Sequence, residues 1–404
     1  MRGRSFLFGL LLRNSRTTDT LRHGRMGEFL ALWCRAFAAC ALLSMTAAMA
    51  ADKWNVAFFH DEKDSALTLV QIVFPSERRG IAIGAVTEKS GRVKPMALVT
   101  GDGGKRWEKV PLKEIPAAIS CVNDSACWVA TEKGVWLTEE AGRTWRKVSG
   151  QKGIFAIHFE SSTRGFAAGT AKSIWETKDG GKTWTPLAVT KEIDAKSEYA
   201  AFHTIGFGGK VGMVAGTSRP PRREDRSLFP PWMDPEREAK RRSWPNLVMM
   251  AETRDSGETW KISTASIFGM VNRILIDPAG FALALIGFDD TFEIAAEVNR
   301  IDFRTGKMIP IYRQKEHAVR DIAYLPNRSI VVAGIEPTGL RSLKLPSRVV
   351  IREGAIDAKN SVGKFVDHDV DYRATARDVK LAAAPDGQLW AITDNGMILR
   401  LDRR

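Results

Sequence analysis

Residues 177–184 read TKDGGKTW, from Thr177 to Trp184, and the same octapeptide pattern returns three times. The relatives are TGDGGKRW at 100–107, TEEAGRTW at 138–145 and TRDSGETW at 253–260. Their tryptophans are 38, 39 and 76 residues apart, so the last interval has room for one unit enlarged by an insertion. A fixed period of about 40 residues is typical of repeat architectures. We refer to these four segments as the octapeptide boxes.

A second motif lies upstream of the boxes. RGIAIG (79–84), RGFAAG (164–169) and VGMVAG (211–216) each carry two glycines four positions apart, and IVVAG (330–334) keeps the end of the motif. An apolar segment such as SIWET (173–177) separates the glycines from the box. Each unit therefore predicts four short antiparallel strands, named a to d, with the box as the c–d turn. Four strands in about 40 residues is the size of a propeller blade.

The later chain continues the pattern without boxes. Segments 274–303 and 322–355 predict a fifth and a sixth unit, whereas 379–402 supplies only three strands. The N-terminal KWNVAFF (53–59) has no unit of its own and completes the last blade, which removes the open sheet edges. The prediction is an all-β, seven-bladed β-propeller of four-stranded antiparallel blades, with six or eight blades as alternatives.

The box residues have structural roles in this interpretation. Asp179 can accept hydrogen bonds from the backbone N–H groups that follow it, Gly181 supplies a positive φ, and Trp184 can cover the turn. A catalytic site would be single, and the residue spacing of an EF-hand calcium loop is missing. We therefore predict structural turns, with the acidic and aromatic positions at Asp102, Trp107, Glu140, Trp145, Asp179, Trp184, Asp255 and Trp260.

These motifs are Asp boxes of the BNR type, and RGFAAG…IWETKDGGKTW resembles the photosystem II assembly and stability factor family. The resemblance covers roughly 62–264 by motif and the remainder by architecture. It implies a seven-bladed, non-catalytic propeller, without a cofactor, that acts in the periplasm or lumen. Such proteins bind extended segments of membrane proteins during the assembly of photosystem II, a complex of photosynthesis.

The first 50 residues predict a secretory signal. The stretch 37–50 is apolar, follows Arg35 and ends in Ala48-Met49-Ala50, an A-x-A cleavage pattern, with Met26 as a plausible true start. The domain prediction is therefore a signal at 1–50 and one propeller at 51–404, periplasmic and not membrane-spanning. In an oxidising compartment, Cys121 and Cys127 predict a local disulfide across a hairpin; two buried free thiols are the alternative.

The large insertion 218–245 falls between strands b and c of blade four, so we expect it on the face opposite the boxes. Residues 219–244 hold seven Arg, one Lys and five acidic residues, interleaved with aromatic side chains. Arg and Trp are the residues that anchor protein interfaces. The alternative is a flexible, solvated insertion. We predict a partner-binding face for a segment of a membrane protein, formed by Arg222, Arg223, Trp232, Arg241, Arg242 and Trp244.

The charge of +13 falls to about +8 without residues 1–50, and no compact Lys/Arg tract predicts nucleic-acid binding. A monomer is expected. The runner-up function is a sialidase-like glycoside hydrolase or a carbohydrate-binding propeller. GRVKPMALVT departs from the sialidase Arg-Ile-Pro motif, and Tyr372 is the one tyrosine in an ionisable setting. DHDVD (367–371) could bind a metal through His368, but we favour a solvated acidic loop. His158 and His203 are expected in the core or channel.

Overall fold

Seven antiparallel sheets contain nearly all the strands of this computed structural model, which describes residues 52–220, 245–289, 294–336 and 346–403. The described residues lie within one compact unit, 51–404. The predicted signal at 1–50 lies outside the described residues. The predicted all-β, seven-bladed propeller is confirmed, and two short 3₁₀ turns at Ala188–Glu192 and Ser197–Tyr199 are the helical elements of the described chain.

The first three blades are regular four-stranded sheets in sequence order from the inner strand a to the outer strand d. Blade 1 contains β2 (Ser65–Val73), β3 (Gly80–Glu88), β4 (Val93–Thr100) and β5 (Glu108–Pro111). Blade 2 contains β6 (Pro116–Cys121), β7 (Cys127–Thr131), β8 (Gly134–Thr138) and β9 (Arg146–Ser149). Blade 3 contains β10 (Ile154–Phe159), β11 (Gly165–Gly169), β12 (Ser173–Thr177) and β13 (Thr185–Pro186).

Blades 4 to 6 keep this order with longer strands. Blade 4 contains β14 (Ala200–Gly208), β15 (Val211–Ser218), β16 (Asn246–Thr253) and β17 (Lys261–Ile267). Blade 5 contains β18 (Gly269–Ile276), β19 (Ala282–Phe288), β20 (Ala296–Asp302) and β21 (Lys307–Arg313). Blade 6 contains β22 (Ala318–Tyr324), β23 (Ser329–Ile335), β24 (Ser347–Ala355) and the short β25 (Val366–Asp367).

Blade 7 takes strands from both ends of the described chain. Its inner strands are β28 (Val379–Ala383), β29 (Leu389–Thr393) and β30 (Met397–Asp402), and its outer strand is β1 (Lys53–Phe59). β1 pairs antiparallel with β30, from Lys53 opposite Asp402 to Phe59 opposite Met397. The short β26 (Asp369–Val370) pairs parallel to β1, and β27 (Thr375–Ala376) pairs with β24. The prediction that residues 53–59 form the strand that completes the last blade is therefore confirmed.

The hydrophobic core lies between the blades. The buried apolar residues of the described chain fall into seven clusters, one at each interface between adjacent blades. The cluster between blades 7 and 1, for example, packs Leu69 and Phe74 against Trp390 and Ile398. Each blade is apolar on both faces, so it needs a neighbour on each side, and a closed ring supplies one to every blade.

One covalent cross-link tightens the a–b hairpin of blade 2. Cys121 at the end of β6 and Cys127 at the start of β7 form a disulfide bond. Between them, the side-chain oxygen of Asn123 accepts hydrogen bonds from the N–H groups of Ser125 (2.9 Å) and Ala126 (2.8 Å). The pair therefore lies in the local hairpin that its spacing predicted.

Candidate functional site

The octapeptide boxes use their carboxylates within their own turns. In the third box, Oδ1 of Asp179 accepts hydrogen bonds from the N–H groups of Lys182 (3.0 Å) and Thr183 (2.9 Å). The Thr183 hydroxyl donates to Oδ2 at 2.6 Å. The bonds from the side chain and the backbone of Thr183 lead the effects that lower the pKa of Asp179 to about 2. This carboxylate is ionised at neutral pH and already saturated with donors, which makes it a poor general acid or nucleophile.

The box threonine holds the turn from the other side. In all four boxes its hydroxyl oxygen accepts the N–H of the glycine four residues later, at 2.8–3.0 Å, in the pairs Thr100–Gly104, Thr138–Gly142, Thr177–Gly181 and Thr253–Gly257. These threonines are buried. The box with glutamate at the acidic position keeps this geometry, because Glu140 accepts from the hydroxyl of Thr144 at 2.8 Å. Ala141, the residue after it, has the positive φ (55°) that the residue at this position has in all four boxes.

Each box also contacts the preceding blade. A Cβ atom on Gly104 of blade 1 would lie 2.0 Å from the ring of Trp390 in blade 7, and one on Gly257 of blade 4 would lie 2.3 Å from Phe166 in blade 3. In the same way Gly142 faces Ile81 and Gly181 faces Trp128. The facing residue is always the second residue of strand b. The boxes therefore join neighbouring blades, a role that the local reading of the octapeptide missed.

The predicted partner-binding residues Arg222, Arg223, Trp232, Arg241, Arg242 and Trp244 lie outside the described residues. The structure does place the base of their insertion, which joins β15 to β16 and hence strands b and c of blade 4. Arg219 and Asn246 flank it, and both contact the carboxylate of Asp289 in blade 5, at 3.5 and 3.3 Å. In an antiparallel blade, b–c and d–a connections share one face, so the insertion leaves the ring opposite the boxes.

The DHDVD segment is part of the ring closure. Nδ1 of His368 accepts a hydrogen bond from the indole N–H of Trp54 (3.0 Å), and its Nε2 faces Glu353 at 3.3 Å. Only 6% of the His368 side chain is exposed, whereas 70% of the Asp367 side chain is. The expectation of a solvated acidic loop is thus wrong for His368, because Trp54 of β1 and Glu353 of β24 bury it.

Among the described residues, Asp52, Glu353 and His368 of this cluster lie close enough together to hold a metal ion. A guanidinium group already lies between the two carboxylates, since Arg403 contacts Asp52 at 3.1 Å and Glu353 at 3.2 Å. The lone pair of His368 Nδ1 is used by Trp54. The donor set therefore matches the internal cation Arg403, which joins the two ends of the described chain, better than a metal ion.

We call Asp52, Trp54, Glu353, His368 and Arg403 the closure cluster, and we expect it to make the stability of the fold sensitive to acid. Burial would raise the pKa of Glu353, but hydrogen bonds from His368 and Ser329 and the charge of Arg403 outweigh it and lower the pKa from 4.5 to about 2. A depressed pKa stabilises the fold above about pH 5, and this stabilisation is lost as the pH falls towards 2. We expect Glu353→Gln to remove up to about 3 kcal/mol at neutral pH and to flatten this acid limb. Denaturant unfolding between pH 2.5 and 7 measures both effects.

The matched control for this prediction is Glu108→Gln, because Glu108 is an exposed residue of β5. The difference between the wild-type and Glu353→Gln curves of stability against pH reports the loss of the Glu353 carboxylate. An acid limb of unchanged slope in Glu353→Gln would contradict the assignment.

The inner strands form a central channel with two unlike sides. Six of the seven inner strands carry a β-bulge at the same level, at Val70, Ala117, Phe155, His203, Asn272 and Arg320. A cavity of about 160 Å³ at this level is lined by residues from all seven blades. Apart from Gln71, blades 1 to 3 supply apolar side chains such as Val70 and Phe155. Blades 4 to 7 supply the charged residues Arg273, Asp321 and Lys380 and further polar ones, together with Ile205 and Leu381.

The two histidines singled out from the sequence lie in different places. His203 lines the channel, where Nε2 is 3.0 Å from the hydroxyl of Thr217. Burial, with a smaller effect from Arg219, lowers the pKa of His203 to about 4, so the ring is neutral at neutral pH. His158 instead stacks on Phe207 of the next blade, with ring centroids 4.8 Å apart.

The channel does not gather the groups that a sialidase needs. Among the described residues, the lining of the 160 Å³ cavity includes one arginine, Arg273, and neither tyrosine nor glutamate. Tyr372 is 85% exposed, in the connection between β26 and β27. No helix within the described ranges is long and apolar enough to cross a membrane.

The geometry defines a seven-bladed β-propeller with box-type turns, and comparisons with known proteins agree. A family model described as photosynthesis system II assembly factor YCF48 matches residues 146–220. The structure of YCF48 from Cyanidioschyzon merolae is 12% identical with a TM-score of 0.55, and the match covers 87% of this chain and 99% of that one. YCF48 bound to a D1 peptide is 15% identical with a TM-score of 0.53, over 86% of this chain and 97% of that chain.

A more general propeller is also similar. The WD40 β-propeller domain of Doa1 is 11% identical with a TM-score of 0.50, over 87% of this chain and 97% of that chain. No curated protein matches the sequence significantly. At these identities the structural matches show the fold, while the family model adds sequence similarity over blade 3, the last strand of blade 2 and the first two strands of blade 4. The resemblance to photosystem II assembly factor-like BNR propellers is therefore confirmed.

Proposed function

We propose that this chain is an exported, non-catalytic propeller that binds segments of a membrane protein on its periplasmic side and acts as an assembly or stability factor. The signal-like residues 37–50 support export. The first strand begins at Lys53, so cleavage after Ala50 would leave the propeller complete. The bound segment is acidic or a C-terminus, because the insertion supplies arginines that pair with carboxylates in a bidentate manner.

The observation that carries this proposal is that the two faces of the propeller differ. On the box face, Asp179 is saturated by donors of its own turn. The opposite face carries the longest insertion, whose base is fixed by Asp289. A rigid scaffold that presents one long, Arg- and Trp-rich loop is the usual arrangement of a binding protein.

The described part of the insertion face adds charged groups. A cavity of about 550 Å³ lies beside the b–c and d–a connections of blade 6. It is lined by charges of both signs, including Glu316, Glu336, Arg348 and Arg352. Such a surface fits a polar, extended segment better than an apolar helix. The similar propeller that holds a D1 peptide supports the same class of ligand.

Charge reversal on the insertion tests the binding face. We expect Arg241→Glu/Arg242→Glu to lower recovery of the membrane partner at least tenfold, because carboxylate pairing becomes repulsion. The experiment cross-links intact cells with a reagent that reaches the periplasm but does not cross the inner membrane. Recovered partner peptides then report both export and binding.

The matched control is Lys105→Glu/Lys182→Glu, which makes the same change of charge at exposed positions of two boxes on the other face. It should leave recovery within twofold of the wild type. Equal losses in both double variants would mean that net charge, and not the insertion face, governs binding. A wild-type chain that the reagent cannot reach would refute export.

A further inference from the structure

An apolar funnel opens into the channel from the box face, away from the proposed partner-binding face. It has a volume of about 450 Å³ and lies where the inner strands of blades 5, 6 and 7 end. Phe281 and Tyr324 form one wall, with ring centroids 5.6 Å apart, and Phe74 and the segment 381–385 form the other. The volume falls within the range of small-molecule sites in proteins.

Arg273 lies at the narrow end of this funnel, since it lines both the funnel and the 160 Å³ cavity in the channel. Its Nε is buried and has no hydrogen-bond partner among the described residues. Oδ1 of Asp321 forms an ion pair with this nitrogen at 3.5 Å, which is longer than a normal hydrogen bond. The other oxygen of Asp321 accepts the N–H of Leu381 at 2.8 Å. A guanidinium group has five donors, so Arg273 is left with unused capacity.

The other charged residues at this level do not supply the hydrogen-bond acceptor that Nε of Arg273 lacks. Lys380 also lines the channel, but its ammonium pairs with Asp378 at 3.2 Å. Asp277 at the funnel mouth accepts the N–H of Phe281 at 2.7 Å and interacts with the hydroxyl of Tyr324. The Arg273 side chain as a whole is 36% exposed, so its guanidinium group can meet a ligand that enters the funnel. The narrow end of the funnel therefore favours one additional anionic group beside Arg273.

We propose that the funnel binds a small amphipathic carboxylate, with the carboxylate on Arg273 and the apolar chain against Phe281 and Tyr324. Arg273 would contact both carboxylate oxygens, which is the strongest pairing that arginine makes. The funnel supplies apolar wall for the chain, and the cavity beyond Arg273 is smaller, about 160 Å³ against about 450 Å³. A free small molecule fits this limited space better than a peptide, whose chain would have to leave the funnel again.

Calorimetric titration with linear carboxylates from butanoate to decanoate, and with 1-octanol as the neutral partner of octanoate, tests the proposal. We expect affinity to rise about fourfold per methylene until the funnel is full. Arg273→Gln should weaken octanoate binding at least tenfold and change 1-octanol binding less than twofold. Arg273→Lys keeps the charge but loses the planar fork of the guanidinium, so its affinity for octanoate should lie between those of the wild type and Arg273→Gln.

The control is Arg300→Gln, a change of the same kind in strand β20 of the same blade, away from the funnel. Unfolding curves of all variants verify that each is folded before titration. Absence of binding by every carboxylate, or equal losses in Arg273→Gln and Arg300→Gln, would overturn the proposal. Tighter binding of a Leu-terminated pentapeptide, lost on amidation of its C-terminus, would overturn the small-molecule assignment in favour of a peptide terminus.

Discussion

Trp390→Ala is expected to cost about 3–5 kcal/mol in the free energy of unfolding, the range for removing a large buried aromatic side chain. Trp390 is 1% exposed and joins blade 7 to blade 1. Its ring stacks on Phe74 with centroids 4.6 Å apart and covers Gly104 of the first box. Urea denaturation followed by circular dichroism measures the loss. The exposed Phe59→Ala, on β1, is the control and should cost far less.

The glycine on the other side of this contact separates steric fit from backbone strain. Gly104 and Gly91 both have positive φ, 76° and 83°, but a Cβ on Gly104 would meet Trp390 whereas one on Gly91 would meet nothing within 4 Å. Gly104→Ala should therefore cost about 1–3 kcal/mol more than Gly91→Ala. In the double variant Gly104→Ala/Trp390→Ala the two losses should not add, because the clash is gone. Simple additivity would contradict a direct contact.

Removal of residues 52–59 is expected to abolish cooperative folding. β1 contributes Trp54, which is fully buried, and its ladder with β30 along the outer side of blade 7. Loss of the tryptophan alone corresponds to about 3–5 kcal/mol. A typical domain has only about 5–15 kcal/mol of net stability, so the loss of the whole strand would exhaust it. The measurement is thermal unfolding by circular dichroism, with loss of a single sharp transition.

A synthetic peptide of residues 52–60 should restore part of the transition when added in excess, because it can pair with β30. The same peptide with Trp54→Ala serves as the control and should not restore it. A truncated chain that still unfolds cooperatively at the wild-type temperature would show that blade 7 is stable with three strands, contrary to this expectation.

The repeats were enough to predict the blades because each box encodes its own turn. Thr177, Asp179 and Gly181 satisfy one another locally, so the octapeptide pattern carries the c–d connection wherever it appears. The alternation of strands between the boxes then leaves little freedom for another fold. The contacts between blades were not predictable in this way, since Gly104 and Trp390 are far apart in the sequence and only closure of the ring brings them together.

The candidate sites show the same contrast between local contacts, which the sequence predicts, and contacts between distant residues, which it does not. The Cys121–Cys127 pair is local and visible in the sequence, whereas His368 and Trp54 are 314 residues apart and no pattern joins them. Arg273 interrupts an apolar inner strand, VNRILI (271–276), as Arg320 and Asp321 interrupt AVRDIAY (318–324), and such polar positions could have marked the channel. The residues predicted for the partner face lie outside the described ranges, so their placement stays a prediction.

Because blade 7 draws β1 from the start of the propeller and β28 to β30 from its end, the ring can be sealed only after the last strand is available. Until then the growing chain has an unfinished blade and at least one uncovered sheet edge. Synthesis or translocation that stops before Met397 therefore yields a product that differs from the finished protein in shape as well as length. Ring closure therefore requires the complete set of strands, whereas a linear stack of repeats can fold without its last unit.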